Sequence, residues 1–310
     1  MNLANAKKIT LQDKQLFDKY FQKYHPQNSE FTFTNLFMWR NYYDFLFFEY
    51  KEHLLLFSYD YLKKRRDPIH SNSKEHFYFF PPIGPHPDQI ILEIFEQADD
   101  VEIHRVPDEI CNNLSSNKKF SDLKLAYVED RNNWDYVHDR EEILNLAGNK
   151  YRQNRRWLQK FLNSYNYEFQ ILTQDLIEKC KELQLEWCEV HACTEDESLE
   201  AEQEAIYEAL DNFIALGFSG GLLCVDNKCV AYTFGEMLNN NTLVIHIEKA
   251  HLEFEGAYQA INNLFLKSCC KEAIYINREQ DLGIEGLRRA KESYKPIRME
   301  KKSIIFQKNE

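Results

Sequence analysis

Polar side chains on two strand-like segments late in the chain have the types and spacing needed for proton transfer and anion binding. Apolar and polar residues alternate over residues 243–250, so His246 and Glu248 share one face of a predicted strand. A second predicted strand, residues 273–277, is followed directly by Arg278. A polar pair on a central strand has a desolvation cost unless it is partnered or hydrated, and a cleft keeps it hydrated. The pattern therefore predicts a cleft beside these residues.

Glu248 and Arg278 suggest complementary roles in such a cleft. Glu248 is suited to taking a proton from an attacking amine, since a carboxylate within hydrogen-bond reach acts as a general base. Arg278 is suited to holding a phosphate or a carboxylate with two parallel hydrogen bonds. The alternative is a structural Glu248–Arg278 ion pair at the strand ends, because ion-pair networks also line clefts. The sequence leaves both interpretations open.

A predicted helix, residues 256–271, begins shortly after the first of these strands. Gly256 and Ala257 at its start would offer free N–H groups and a partial positive charge to an anion. Glu253 and Glu255 lie beside that start, and two acids repel a pyrophosphate. The alternative is an ordinary helix start, where glutamates interact favourably with the helix dipole. The charges favour this alternative over a pyrophosphate site.

A second candidate for anion binding is the predicted helix 151–164, whose basic residues form a run without an acid. The run consists of Lys150, Arg152, Arg155, Arg156 and Lys160. A spacing of four residues places three of them along one side of the helix. This side predicts contact with a tRNA backbone or a phospholipid headgroup. The alternatives are a solvated face and docking to an acidic domain.

The eight cysteines form no C-x-x-C pair and are expected to be reduced, small apolar side chains. Cys188, His191 and Cys193 lie close together in the sequence, but the usual spacings of zinc ligands are absent. A metal site or a nucleophilic cysteine is therefore the weaker alternative, and we predict no metal.

The length of the chain indicates two domains that position these residues. The chain has 310 residues, which exceeds the usual size of one domain, and 44% of them are hydrophobic. Gly148 and Asn149 interrupt the chain near its middle. We therefore predict domains at residues 1–147 and 148–310, with the cleft in the second.

The second half has the clearer order of elements. Its predicted helices are residues 151–164, 176–191, 200–216, 256–271 and 284–294. Its predicted strands are residues 167–172, 221–225, 229–238, 243–250, 273–277 and 302–307. The hairpin joining 229–238 to 243–250 predicts that Gly235 lies opposite His246 and Thr233 opposite Glu248. The first half shows a similar rhythm, with a charged loop at residues 63–68.

The charge and hydropathy of the chain limit its partners and its location. A net charge of −12 argues against broad, nonspecific binding of nucleic acid, although a local basic patch remains compatible with it. No segment reaches the roughly 20 apolar residues of a membrane span, and the first residues lack an apolar core of signal-peptide length. The sequence therefore predicts a cytoplasmic protein without a transmembrane segment.

The order of helices and strands in the second half resembles the GNAT acyltransferase fold. The resemblance sharpens at YRQNRR (151–156), EGAYQAIN (255–262), NREQDLG (277–283), LRRAKESYKP (287–296) and FTFTNLFMW (31–39). Together these stretches resemble a bacterial family related to the C-terminal catalytic domain of phosphatidylglycerol lysyltransferase. The resemblance covers nearly the whole chain. It implies an α/β (α+β) fold of two tandem GNAT-like domains, each a mixed, mostly antiparallel sheet flanked by helices, as in Fem-type peptidyltransferases.

The resemblance also implies an activity, namely transfer of an activated acyl or aminoacyl group to an amine or hydroxyl acceptor. The donor would be aminoacyl-tRNA or acyl-coenzyme A, used as a co-substrate rather than a tightly bound cofactor. The acceptor would be a small molecule, a peptide or a lipid headgroup. The first domain would be a degenerate copy. The alternative is a non-catalytic binding module that retains the fold.

The predicted site residues follow from the GNAT-like arrangement, in which the two strands part at their C-terminal ends and the donor lies between them. GNAT enzymes bind the coenzyme A pyrophosphate at the start of the helix that follows. The two acids there shift the expectation toward a different donor, such as aminoacyl-tRNA, or toward no donor. The catalytic candidates are Glu248, His246 and Tyr258. The candidates for binding the donor or its phosphate are Arg278, Asn277, Lys249, Gly256, Ala257, Arg152, Arg155, Arg156 and Lys291.

Overall fold

The computed structural model describes residues 3–59 and 76–308, so the predicted charged loop at residues 63–68 lies outside the described residues. The chain divides into two compact units. The first consists of Met1–Trp134 together with Glu300–Glu310, and the second of Asp135–Met299.

The α-helices are numbered here in chain order over the described residues. Those of the first unit are α1 (Lys14–Tyr24), α2 (Phe33–Tyr43), α3 (Pro87–Gln97), α4 (Asp108–Ser115) and α5 (Lys118–Asp122). Those of the second unit are α6 (Arg140–Asn145), α7 (Arg152–Ser164), α8 (Ile177–His191), α9 (Glu197–Asp211), α10 (Phe213–Leu216), α11 (Ala257–Ser268) and α12 (Glu285–Ser293). Side chains cap several helix starts, such as Asp139 at α6 and Asp196 at α9.

The strands form two seven-stranded sheets within the described part of the chain. The first sheet has the order β1-β2-β3-β4-β5-β14-β6, with β1 (Lys7–Lys8), β2 (Leu46–Tyr50), β3 (His53–Tyr59), β4 (Phe77–Phe79), β5 (Val101–Pro107), β6 (Leu125–Glu129) and β14 (Lys302–Gln307). The second has the order β8-β9-β10-β11-β12-β7-β13, with β7 (Asp135–Asp139), β8 (Tyr167–Ile171), β9 (Ser219–Val225), β10 (Lys228–Met237), β11 (Thr242–Ala250), β12 (Tyr275–Asn277) and β13 (Arg298–Glu300).

The two sheets have the same arrangement around one parallel pair. In the first sheet β4 runs parallel to β5, and in the second β11 runs parallel to β12. The flanking pairs β3–β4, β10–β11, β5–β14 and β12–β7 are antiparallel. Helices cover the sheets, and in the second unit α7 and α11 contribute to the core that packs on β9, β10 and β11. The predicted mixed, mostly antiparallel sheets flanked by helices are therefore present.

The structural division of the chain differs from the predicted boundary at residues 147/148. β7, which precedes that boundary, pairs with β12 in the second sheet. β14, predicted as the closing strand of the second domain, pairs with β5 and β6 in the first sheet. The difference arises because hydrogen-bond register, rather than proximity in sequence, determines the sheet that a strand joins. β7 (Asp135–Asp139) shows no apolar alternation, although Asp135 and His138 are fully buried, so its residue pattern did not predict a strand.

A buried ion cluster holds β14 in the first sheet. The ammonium of Lys302 donates to both carboxylate oxygens of Glu30, at 2.8 and 2.7 Å, and the Lys302 side chain is fully buried. Arg105 lies 2.9 Å from the same carboxylate and 2.8 Å from Asp130. Removing one partner of such a cluster leaves an uncompensated buried charge.

We expect Lys302→Met to lower the free energy of unfolding by about 3 kcal/mol, because Glu30 would lose its main partner in a buried site. Chemical denaturation measures the change. The matched control is Lys301→Met, whose side chain is 43% exposed and whose ion pairs lie at the surface. We expect the control to change stability by less than about 1 kcal/mol. Equal effects of the two variants would contradict the stabilising role of the cluster.

Candidate active site

The hydrogen-bond pairing between β11 and β12 is short. The register pairs Thr242 with Tyr275, Leu243 with Ile276 and Val244 with Asn277. β12 then ends, whereas β11 continues to Ala250. The end of β11, residues 245–250, and the segment after β12, residues 278–281, are therefore joined by side chains rather than by a ladder. We call this place the β11–β12 gap.

An ion pair crosses the gap. Nη2 of Arg278 lies 2.8 Å from Oε1 of Glu248, and both side chains are almost nine-tenths buried. The other oxygen of Glu248 accepts a hydrogen bond from Nδ2 of Asn262, on α11, at 3.0 Å. The guanidinium of Arg278 also lies over the ring of Tyr294, 4.6 Å from its centre. The structure thus brings Glu248 and Arg278 together. Their geometry fits a catalytic pair as well as a structural ion pair.

A β-bulge places His246 between two carboxylates. Phe234 pairs with Ile247 and Gly235 with Ile245, so the backbone register skips His246 and the predicted Gly235–His246 pairing is wrong. The predicted pairing of Thr233 with Glu248 is confirmed. The prediction failed at one position because a bulge adds a residue to one strand without a signal in the hydrophobic pattern.

The two carboxylates next to His246 belong to different elements. Nε2 lies 3.0 Å from Oε1 of Glu236, on β10, and Nδ1 lies 2.9 Å from Oε1 of Glu279, after β12. Burial lowers the pKa of His246, but the hydrogen bonds and charges of the two glutamates outweigh burial and raise it to about 9. Both ring nitrogens then carry protons at neutral pH. His246, a predicted catalytic residue, is in this state a charged donor rather than a free base.

The structure does not bring Lys249 and Asn277 to the gap, contrary to the predicted convergence. Strand alternation turns Lys249 to the face opposite Glu248, where its ammonium lies 2.6 Å from Glu202 and 3.7 Å from the ring centre of Trp187. Asn277 is fully buried, and its amide donates to Asp135 at 3.1 Å. Both polar groups are therefore used inside the fold.

The start of α11 shows close helix packing. Gly256 has a φ of +88°, and a Cβ atom there would collide with the backbone carbonyl of Trp157, on α7. The N–H of Ala257 donates to the carbonyl of Phe254 at 2.9 Å, and the Ala257 side chain is buried. Glu255 forms an ion pair with Lys160. The close approach of α7 and α11 thus requires a glycine at this position. This favours an ordinary helix start over a pyrophosphate site.

Tyr258, the third catalytic candidate, lies in the first turn of α11. Its ring packs against the core of the second unit, and the residue is partly buried. Burial raises the pKa of the Tyr258 phenol. The phenol is therefore protonated at neutral pH, which is the state that a proton donor needs.

The basic run at α7 divides into paired and exposed side chains. Arg155 donates to the backbone carbonyls of Leu146 and Gly148 and closes the loop before the helix. Lys150 is 2.6 Å from Glu142, and Lys160 pairs with Glu255. Arg152 and Arg156 are exposed, one helical turn apart.

Lys291, on α12, lies behind the segment that carries Arg278. Its ammonium donates to the backbone carbonyl of Gln280. Burial lowers the pKa of Lys291 to about 8, against the raising effect of the Glu279 carboxylate. Lys291 is half-buried, and its ammonium supports the segment after β12 through this hydrogen bond.

Three contributors to the site were missed in the sequence: Glu236, Glu279 and Asn262. A signal existed for Glu279, because it follows Arg278 directly. Asn262 carried no signal, since its contact with Glu248 depends on how α11 packs on β11.

The weak metal alternative at Cys188, His191 and Cys193 does not correspond to the observed contacts. Cys188 and Cys193 form a disulfide, so the expectation that these two thiols are reduced is wrong. The ring of His191 stacks on Trp187, with 3.8 Å between ring centres. Among the described residues, no group of three or more metal-ligating side chains is arranged to hold an ion.

The corresponding ladder of the first unit combines aromatic packing with buried ion pairs. β4 and β5 pair through Phe77–Val101, Tyr78–Glu102 and Phe79–Ile103, and His104 follows. The ring of His104 packs on Tyr78 at 4.3 Å between centres, and both are buried. Nε2 of His104 also lies 2.6 Å from Oε2 of Glu102, and the next residue, Arg105, belongs to the buried ion cluster, so charged groups lie beside this ladder as well.

The charge state of His246 predicts a pH dependence of stability. Its folded pKa of about 9 exceeds the unfolded value of about 6.5, so the stabilisation is complete below pH 6.5 and is lost as the pH rises through 9. We expect the free energy of unfolding of the wild type to fall by about 3 kcal/mol more than that of His246→Gln between these pH values. Denaturation at a series of pH values measures this, with exposed His25→Gln as the control that keeps the wild-type dependence. If the free energy of unfolding depends on pH in the same way in the wild type and in His246→Gln, His246 is not a charged imidazolium in the folded protein.

Comparisons with known proteins place this geometry in a family. A family model described as "Phosphatidylglycerol lysyltransferase, C-terminal" matches residues 21–306. The crystal structure of a conserved protein of unknown function from Bacteroides thetaiotaomicron is 33% identical, covers 98% of this chain and 99% of that chain, and has a TM-score of 0.86. A search of the curated proteins found no match.

More distant structures share the fold. L-PGS from Bacillus licheniformis is 14% identical, with coverage of 96% of this chain and 93% of that chain and a TM-score of 0.62. FemX is 10% identical, with coverage of 98% and 97% and a TM-score of 0.52. The predicted fold class, two tandem GNAT-like α/β units, is confirmed. None of the described helices is both long and apolar enough to cross a membrane.

The family model spans both units. It includes β11, which bears Glu248, and the segment after β12, which bears Arg278. The Bacteroides structure agrees over almost the full length of both chains. The chain belongs to the family of the phosphatidylglycerol lysyltransferase C-terminal domain.

Proposed function

We propose that the second unit transfers an activated acyl or aminoacyl group to an amine or hydroxyl acceptor at the β11–β12 gap. The observation that carries the proposal is the Glu248–Arg278 pair, a carboxylate and a guanidinium 2.8 Å apart where the strand pairing ends. Membership of a family named for a lysyltransferase supports the reaction class.

The pair provides the groups that acyl transfer requires. The acceptor attacks the carbonyl carbon of the donor, its proton passes to Glu248, and the bond from that carbon to the leaving group breaks. Arg278 gives Glu248 one of its five N–H donors in the described contact, so others can hold a phosphate or the carbonyl oxygen of the donor. Tyr258, kept protonated by burial, is the candidate that returns a proton to the leaving group.

Aminoacyl-tRNA is the donor that the charges favour. At the start of α11, the glutamate of the Glu255–Lys160 pair lies where a coenzyme A pyrophosphate would bind in GNAT enzymes, and Gly256 is used for helix packing. Arg152 and Arg156 are exposed on α7 and are suited to a phosphate backbone. The acceptor class remains as broad as the sequence indicated: a small molecule, a peptide or a lipid headgroup.

The second candidate is a non-catalytic binding module with the same fold. It is favoured by the existing partners of Glu248, whose two oxygens already accept hydrogen bonds from Arg278 and Asn262. Calorimetry with coenzyme A, an acyl-coenzyme A and aminoacyl-tRNA identifies which donor binds. A transfer assay with the bound donor then separates the two candidates, because only a transferase consumes the donor. Binding without turnover in the presence of amine and hydroxyl acceptors would favour the module.

We expect Glu248→Gln to lower kcat about 100-fold or more in a transfer assay, since the variant retains the shape of the side chain but cannot accept the proton. Arg278→Ala should weaken donor binding and turnover together. The charge-matched controls are Glu253→Gln and Arg289→Ala, which alter exposed residues away from the pair. Unchanged turnover in both Glu248→Gln and Arg278→Ala would end the assignment.

Donor binding should depend on salt through the exposed arginines of α7. Each phosphate contact contributes about one unit to the slope of log affinity against log salt concentration. We expect the double variant Arg152→Ala/Arg156→Ala to reduce the slope for aminoacyl-tRNA by about 2, as measured by fluorescence anisotropy. The control, Arg289→Ala, should leave the slope unchanged. A slope near zero in the wild type would contradict a tRNA donor.

A further inference from the structure

A disulfide lies at the junction of α8 and α9, on the face of the second sheet opposite Glu248. Cys188 belongs to the last turn of α8, and Cys193 begins the short turn Cys193–Glu195 that leads into α9. Their Cα atoms are 5.0 Å apart, and they are 5% and 1% exposed. The bond therefore ties the end of one helix to the start of the next.

Helix α8 reaches the sheet through a hydrogen-bond chain that ends at this bond. The side-chain amide of Gln184 donates to Sγ of Cys188 at 3.4 Å. The hydroxyl of Tyr232, on β10, donates to the amide oxygen of the same Gln184 at 2.7 Å. All three side chains are buried. The position of Cys188 is thus coupled to β10.

Both helices also contact one lysine of β11. The ring of Trp187, next to Cys188 on α8, lies 3.7 Å from the ammonium of Lys249. Glu202, on α9, lies 2.6 Å from the same ammonium. Lys249 is 6% exposed, so this carboxylate is needed to keep the buried charge paired. The disulfide holds together the two helices that supply these partners.

These contacts converge beside the candidate site. Tyr232 pairs with Lys249 across β10 and β11, and the next pair along the strands is Thr233 with Glu248. A change in the spacing of α8 and α9 would therefore act on the strand pair adjacent to Glu248.

We propose that Cys188 and Cys193 form a reversible thiol–disulfide site that sets the order of α9 and of the end of β11. In the forward direction the two thiols lose two protons and two electrons and form the Cys188–Cys193 bond. A low-molecular-weight disulfide such as oxidised glutathione takes up these two electrons and two protons. Its own S–S bond breaks, which gives two small thiols. Reduction reverses the exchange and frees α9 from α8. This inference does not depend on the proposed transfer activity.

The first test determines whether the bond forms in solution. The full chain is equilibrated in oxidised or reduced glutathione, denatured, alkylated and cleaved at Glu189, which lies between the two cysteines. We expect six alkylated cysteines and two joined peptides in the oxidised sample, and eight alkylated cysteines in the reduced sample, because the other six cysteines are free. Eight alkylated cysteines after oxidation would overturn the proposal.

The second test measures the effect on the fold by hydrogen–deuterium exchange of the same two wild-type samples. Peptides from Glu197–Asp211 and from the end of β11 should exchange about tenfold faster after reduction, while those of the first sheet should not change. Identical exchange in the two samples would overturn the proposed coupling, even with the bond present.

Variants assign the effect to this pair. Cys188→Ser and Cys193→Ser should each exchange like the reduced protein in both buffers. The matched control is Cys111→Ser, a buried free cysteine of the first unit, which should retain the redox difference. A redox difference that persists in the two test variants would overturn the assignment. The wild-type comparison decides the proposal if either variant fails to fold.

Discussion

The early end of the ladder between β11 and β12 is the constraint on which the candidate site depends. Their hydrogen bonds stop at the pair Val244–Asn277, although β11 runs on to Ala250. A continued ladder would have brought the chain after β12 against β11 and left no room for side chains between them. Because the ladder stops, Glu248 and Arg278 meet across the gap through their side chains. Groups that meet in this way can exchange partners with a ligand without breaking the sheet.

Charge pairing around the gap explains how so many ionised groups are kept out of water. Arg278 is paired with Glu248, and His246 with Glu236 and Glu279. A buried charge without a partner is costly, so each of these groups restricts the position of another. His246 links β10 and β11 to the segment after β12, and that segment carries Arg278. The imidazolium thereby helps to fix the guanidinium opposite Glu248, which is a supporting role rather than a reactive one.

Two sheets of the same order have diverged at the equivalent position. Both contain one parallel pair flanked by antiparallel strands, β4–β5 in the first and β11–β12 in the second. In the first sheet, buried Tyr78 and His104 pack against each other beside this ladder, and His104 and Arg105 are both paired with carboxylates. The β14 strand, from the end of the chain, completes the first sheet, so neither sheet consists only of its own half of the sequence.

Much of the site could be predicted from local sequence, because local patterns determine local geometry. Strand alternation and a short hairpin were sufficient to pair Thr233 with Glu248. The resemblance to the GNAT-like fold placed Arg278, which follows a short strand, near that carboxylate. Local patterns also indicated the helix start at Gly256, whereas the tandem α/β fold was implied by the family resemblance.

The tertiary structure decided everything that depends on contacts between distant segments. The bulge at His246, the burial of Lys249 against Glu202, and the pairing of Cys188 with Cys193 leave no mark in hydrophobic periodicity. The placement of β7 and β14 likewise follows from hydrogen-bond register and from the buried Lys302–Glu30 pair. Residue types and their spacing determine which face of an element a side chain occupies. Only the packed chain determines which partner lies opposite that face, because the partner's position depends on the fold of the whole unit.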